Sequence, residues 1–220
     1  PLLNVDSLHA QGINGTGVTV AVLDTGTWNS LAMVKNPAGA TRLLAEWDAI
    51  TSKSVTIPSA ESLPLDPVGH GTHVASIVLS SDLSDTGKPK GIAPYAKLVS
   101  VRAFDSAGQG SYSNVINGLN WILSNKATYN MRVLNLSFGA TPQSSYWNDP
   151  LNKAVMKLWQ SGIVVVASAG NWGPYAQSIT VPGNVPYVIT VGAMTDNYTP
   201  AGTDDRLASF SSTGPTYEGF

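Results

Sequence analysis

Short valine-rich apolar runs alternate with stretches of helical period along the whole 220-residue chain, and this alternation leaves few architectures open. An unbroken apolar run of four to eight residues suits a strand buried on both faces. Such strands belong to parallel sheets covered by helices on each side. Strands are predicted at 18–24, 97–104, 133–138, 162–167 and 187–191, with helices at 70–80, 112–126 and 150–160 between them. In the middle helix Val115, Ile116, Leu119, Ile122 and Leu123 recur on one buried face. The last helix has Asp149 placed as its cap, Pro150 at its first position and Gly162 just past its end. The fold class that follows is α/β: three layers, with a mostly parallel sheet between helices on both faces.

Residues 27–66 lack a clear period and are rich in Ser, Pro and Ala, so they read as a long, partly structured insertion. Residues 81–91 carry turn chemistry, and 208–211 read as one further short strand. No stretch reads as a linker, and 43% hydrophobic content is enough for one substantial core, so residues 1–220 are expected to form a single domain. The 12 Lys and Arg residues are scattered at a net charge of -2, which argues against nucleic acid and membrane surfaces as partners. No apolar run approaches the ~18 residues of a membrane span. The absence of Cys excludes disulfides, thiol catalysis and thiolate metal sites, without choosing a compartment. A start at Pro1 leads to the expectation that an upstream segment has been removed.

Three motifs sit where open α/β sheets place their crevices, at strand ends and a helix start. Asp24-Thr25-Gly26 closes the first strand, and its carboxylate can orient an imidazole or simply cap a turn. His70-Gly71-Thr72-His73 opens a helix. Two histidines three apart could share a metal, but no third ligand stands at recognisable spacing and the His-Glu-x-x-His pattern is absent. The division of labour that fits better has His70 facing the crevice and His73 packing beneath it with Val74, Ala75, Ile77 and Val78. Asn171 follows the apolar run 163–170, and its amide can donate to a developing oxyanion or terminate a Gly-Asn turn. Gly108, Gly110 and Tyr112 on one side, and Ser137, Phe138 and Gly139 on the other, could admit an extended peptide between strand ends, or be ordinary strand-to-helix turns.

Together these segments resemble the subtilisin-like serine proteases, the subtilase family, over nearly the whole chain. His70-Gly71-Thr72-His73-Val74-Ala75 resembles the histidine motif, Asp24-Thr25-Gly26 the aspartate motif and Ser168-Ala169-Gly170-Asn171 the oxyanion motif. Gly91-Ile92-Ala93-Pro94, Val191-Gly192-Ala193 and the segment from Phe210 to Pro215 resemble other recurring family segments, and Tyr217-Glu218-Gly219 is similar to the AprX-like bacterial branch. The resemblance implies a peptide hydrolase in which Asp24 orients His70, His70 is general base and then acid, and Asn171 stabilises the tetrahedral oxyanion. It further implies that Gly108, Gly110, Ser137, Phe138 and Gly139 flank the peptide and that Tyr112 lines a distal pocket. Ser168 and Gly170 would form a wall of the primary pocket, shaped also by Phe138 and Thr180. Structural Ca²⁺ is common in the family, with oxygen ligands. Asp82 and Asp85 are the candidates here, and the metal ligands stay unassigned.

The family's nucleophile lies in a Gly-Thr-Ser-Met-Ala-like helix start downstream of the segment that 211–215 resembles, and these 220 residues contain none. Loss of that serine lowers turnover on the order of 10⁶, a figure measured on a subtilisin. The expectation is a domain incomplete at its C-terminus, whose serine resides on a companion C-terminal fragment, secreted after removal of an N-terminal pro-segment, or else intracellular. The alternative is a truncated or inactive homologue that binds peptides or a partner. An aspartic protease would need two carboxylates sharing a proton, and there is a single Asp-Thr-Gly in a strand-helix pattern wrong for that class.

Overall fold

A computed structural model describes residues 5–55, 66–195, 197–199 and 202–220. The chain divides into two compact units, Leu8–Asn135 and a second built mainly from Leu136–Phe220.

After a short helix at the boundary, α1 (Asp6–Ala10), the first unit runs β1 (Thr19–Asp24), α2 (Leu31–Val34), β2 (Leu43–Asp48), β3 (Lys53–Val55), α3 (His70–Leu79), β4 (Lys97–Arg102), α4 (Tyr112–Tyr129) and β5 (Met131–Leu136). Its strands lie in the order β3-β2-β4-β1-β5, all parallel except the β2 and β3 pair. Every residue of β1 is buried, which is why its sequence is a continuous apolar run. On one face Val20, Val22, Leu43 and Leu98 pack against Ala75 and Leu79 of α3 and Met33 and Val34 of α2. On the other, α4 comes so close that a Cβ on Gly118 would meet Leu23 Cδ1 at 2.7 Å, and Trp121 stacks on Trp47 with ring centres 5.4 Å apart. Helices on both faces of a mainly parallel sheet are the expected architecture.

The second unit carries α5 (Pro150–Gln160), β6 (Val164–Ser168), β7 (Ile189–Val191) and the antiparallel pair β8 (Met194–Thr195) and β9 (Arg206–Leu207). β6 and β7 are parallel, and α5 packs on β6. Asp149 caps α5 as expected, accepting from the N–H groups of Leu151 and Asn152.

Two expectations require correction. Residues 27–66 are partly structured as expected, with α2, β2 and β3, but β2 lies inside the sheet between β3 and β4 and is no insertion, while residues 56–65 lie outside the described ones. Residues 208–211 form a turn closed by Ser211 N–H donating to Ala208 O at 2.9 Å, and the strand is Arg206–Leu207 instead.

β2 escapes a search for apolar runs because it buries Glu46, only 5% exposed. Its Oε2 accepts from Asn29 Nδ2 at 3.0 Å. Burial raises the Glu46 carboxyl from 4.5 to about 7, with the Asn29 hydrogen bond opposing. Because the folded pKa is the higher one, the folded chain holds this proton more tightly. Its contribution to stability is therefore lost as pH rises from the unfolded value through about 7. At about 1.4 kcal/mol per unit, the penalty above pH 7 reaches about 3 kcal/mol. Glu46→Gln is expected to be the more stable protein at pH 8 by about 2–3 kcal/mol, and its advantage should shrink towards pH 4. Urea denaturation at both pH values measures this, and an advantage that does not change with pH would contradict a buried titrating Glu46.

Candidate active site

Asp24 and His70 meet where β1 ends and α3 begins. His70 Nδ1 stands 2.7 Å from Asp24 Oδ1, which also accepts from Thr25 N–H at 2.7 Å. An ionised carboxylate can only accept, so Nδ1 carries the proton and Nε2 is left as a base. Asp24 is 2% exposed whereas the His70 side chain is 49% exposed, so the pair has a buried end and an open one. Burial pushes the Asp24 carboxyl above its ordinary 3.8, against the opposing hydrogen bonds and charge of His70 and the hydrogen bonds from Thr25. Its second oxygen, Oδ2, is buried without a hydrogen-bond partner among the described residues.

The glycine in the histidine motif has a steric cause. A Cβ on Gly71 would strike Gly26 O and come within 3.1 Å of Asp24 Cβ, so only glycine lets the first turn of α3 reach the end of β1. His73, expected beneath His70, is instead exposed, because the buried face of α3 is Gly71, Ala75 and Leu79. No three His, Cys, Asp or Glu side chains among the described residues cluster as a metal site. Asp82 and Asp85 are both exposed.

Asp66 is the functional neighbour that sequence reading missed. Only 5% exposed, it accepts from Thr25 Oγ1 (2.7 Å), Gly69 N–H (2.8 Å), Thr72 N–H (2.8 Å) and Thr72 Oγ1 (2.7 Å). Thr25 Oγ1 in turn accepts from Gly71 N–H at 2.8 Å. One carboxylate thus ties the residue after Asp24 to the first turn of the helix that carries His70. Burial alone would raise Asp66, but the combined hydrogen bonds from Thr72, Thr25 and Gly69 outweigh it and hold the carboxyl below 3.8. A signal existed in the Asx-type spacing of Asp66 to Gly69 and Thr72, which also suits an ordinary helix-entry turn.

The remaining site residues fall into one group in each unit. In the first, Asp105 closes the turn after β4 by accepting from Ala107 and Gln109 N–H, at 2.8 and 2.9 Å. Gly108 in that turn has φ +73°, and a Cβ on Gly110 would strike the Phe104 ring at 2.6 Å. Tyr112 then begins α4, capped by Ser111 accepting from Asn114 N–H. In the second unit Ser137, Phe138 and Gly139 follow β5, and Ser168 ends β6. Thr180 is the hub there. It is 1% exposed, its N–H and Oγ1 both donate to Ala169 O, and it fills the space a side chain would need at Gly139 or Gly170. Gly170 has φ +110°, and Asn171 beyond it is exposed.

A sequence profile of the subtilase family matches residues 15–220. The chain is 38% identical to serine protease AprX of Bacillus subtilis (strain 168) over 220 residues, covering 96% of this chain and 46% of that protein. With subtilisin DY of Bacillus licheniformis the identity is 35%, over 99% of this chain and 69% of the relative. Among solved structures, S41 psychrophilic protease aligns with a TM-score of 0.70 and 28% identity, covering 90% of this chain and 60% of the other. A cold-adapted subtilisin-like serine proteinase aligns at 0.68 and 31%, covering 92% and 61%. The chain therefore spans about half the length of AprX and about three fifths of these solved relatives. The α/β fold agrees with these likenesses, and the chain belongs to the subtilase family of serine proteases.

Proposed function

We propose that residues 1–220 form the larger part of a serine endopeptidase whose nucleophile lies on a segment outside them. The observation that carries this reading is the 2.7 Å pairing of His70 Nδ1 with a buried carboxylate, which leaves Nε2 outside that pairing on a half-exposed side chain. In the reaction a serine Oγ attacks the scissile carbonyl carbon while its proton passes to His70 Nε2. The tetrahedral oxyanion accepts from the Asn171 amide, and His70 then gives the proton to the leaving amine. Asp24 fixes the tautomer and offsets the imidazolium charge. Gly108, Gly110, Ser137, Phe138 and Gly139 flank the peptide, Tyr112 lines a distal pocket, and Ser168 to Gly170 wall the primary one.

Exposed apolar side chains support a missing segment. Ile189 and Val191 of β7, a strand in a parallel pair of the kind normally covered, are 55% and 50% exposed, and Ile77 of α3 is 51% exposed. From the kinship with subtilisins we further infer a secreted enzyme, freed from a pro-segment.

A fluorophosphonate probe applied to the native preparation tests the reading. Labelling is expected on a polypeptide that contains sequence beyond residue 220, either a companion fragment or a longer form of the chain. A preparation in which nothing is labelled would overturn it. In a labelled preparation, Asn171→Ala is expected to lower kcat by about 10²–10³ with KM little changed, the size of effect seen when this donor is removed from a subtilisin. Steady-state kinetics on a chromogenic peptide reads it directly.

A further inference from the structure

A cavity of about 230 Å³ opens beside Gly26, two residues past Asp24, and its lining includes Glu46, Asp48, Pro67, Ser100 and Arg102. Register pairs Glu46 with Ser100 and Asp48 with Arg102, so these four side chains rise from one face of the sheet. Three of them already have partners. Asp48 accepts from Ile50 N–H (3.0 Å) and Thr51 Oγ1 (2.9 Å) and stands 3.8 Å from Arg102 Nη1. Arg102 Nε donates to Phe104 O at 3.2 Å, and Ser100 Oγ accepts from Thr27 Oγ1 at 2.8 Å. Glu46 is different. At 5% exposure its only hydrogen bond among the described residues is the one Oε2 receives from Asn29, so Oε1 of this cavity-lining residue has no partner there. Behind it Asn29 Oδ1 is likewise buried without a partner. Two acceptor oxygens, Glu46 Oε1 and Asn29 Oδ1, thus lack a donor among the described residues.

The geometry points to a binding site for a small organic cation, an alkylguanidinium or alkylammonium group, that donates to Glu46 Oε1. An anion would meet Glu46 and Asp48, and a hard metal ion would find too few free oxygens. A guanidinium matches the need: planar, weakly hydrated and a donor only. It can arrive as a free small molecule or as the basic side chain of a peptide. Among the described residues the charged groups facing Glu46 in the cavity are Asp48 and Arg102, and they largely offset each other, so ionised Glu46 sets the sign. This inference does not depend on the protease reading.

Calorimetric titration of the 220-residue chain at pH 8 tests it, with methylguanidine in one arm and N-acetylarginine methylamide in the other. Saturable one-site binding is expected, weakened about tenfold to a hundredfold by Glu46→Gln, which keeps an acceptor for Asn29 but loses the charge. Equal affinities in the two arms identify a free cation as sufficient, and tighter binding of the arginine amide identifies a peptide side chain. Carbon NMR of the Glu46 carboxyl in the unmodified chain gives a readout independent of the variant. Saturating methylguanidine should displace its titration to lower pH. No saturable binding, unchanged affinity in Glu46→Gln, or an unmoved Glu46 titration would each overturn the site.

Discussion

In a preparation that labels with fluorophosphonate, Asp24→Asn is expected to lower kcat by about 10⁴ while KM changes little. The size follows from what the carboxylate alone can do. Asp24 Oδ1 accepts at once from Thr25 N–H and His70 Nδ1, both at 2.7 Å. An asparagine keeps the shape, but its amide can present N–H to the imidazole. Nδ1 then becomes the acceptor, the proton moves to Nε2, and the base that must receive the serine proton is lost. The imidazolium formed in the transition state also loses its buried counter-charge. An interaction made only in the transition state lowers kcat and kcat/KM together, which separates this outcome from damaged peptide binding. A loss below about tenfold would remove Asp24 from the orienting role.

Where one physical cause dominated, the sequence carried the structure. β1 is buried at all six positions, so its apolar run and terminal Asp24 were readable as a strand with a group at its crevice end. α5 was readable from Asp149, Pro150 and its apolar period, and its bounds are those expected. The failures share a different cause, partners distant in sequence. β2 looked polar because Glu46 takes its one hydrogen bond from Asn29 and Asp48 faces Arg102, groups that only the fold brings near. His73 was misplaced because apolar neighbours suggested a buried side, whereas close approach at Gly71 determines how α3 is turned. Asp66 carries no mark of its importance beyond helix-entry spacing, since its link to Thr25 crosses 41 residues. Thr180, read as a pocket residue, holds Ala169, Gly139 and Gly170 together from a fully enclosed position.

The largest stability effect is expected at Arg42, which no motif singles out. It is 1% exposed and no carboxylate among the described residues pairs with it. Its guanidinium donates instead to four main-chain carbonyls: Met33 O at 3.0 Å, Pro94 O at 2.9 Å, Leu79 O and Ala32 O. Leu79 is the last residue of α3, and Ala32 and Met33 belong to α2, so one side chain satisfies carbonyls of both helices and of the approach to β4. Burial lowers the group to about 10, and it remains a cation at neutral pH. Two opposing terms decide a substitution. Removing the buried charge relieves its desolvation, which favours an apolar replacement of similar volume. Against that, the carbonyls lose charge-assisted donors, and each acceptor left buried and unpaired costs about 1–3 kcal/mol. Ala32 O keeps the Ser81 N–H at 3.1 Å, but the three carbonyls of Met33, Leu79 and Pro94 outweigh one desolvated cation whose charge is already spread over these dipoles. Arg42→Met is therefore expected to destabilise by about 2–4 kcal/mol, and Arg42→Ala, which adds a cavity, by about 4–5 kcal/mol. For a chain of this size the latter lowers Tm by about 10–15 °C. Arg42→Lys should fall between wild type and Met, because an ammonium keeps the charge but cannot span carbonyls on both sides of a planar fork. Urea denaturation with an unchanged m value measures the series. A methionine variant as stable as the wild type would mean that desolvation, not the carbonyl cradle, governs this part of the core.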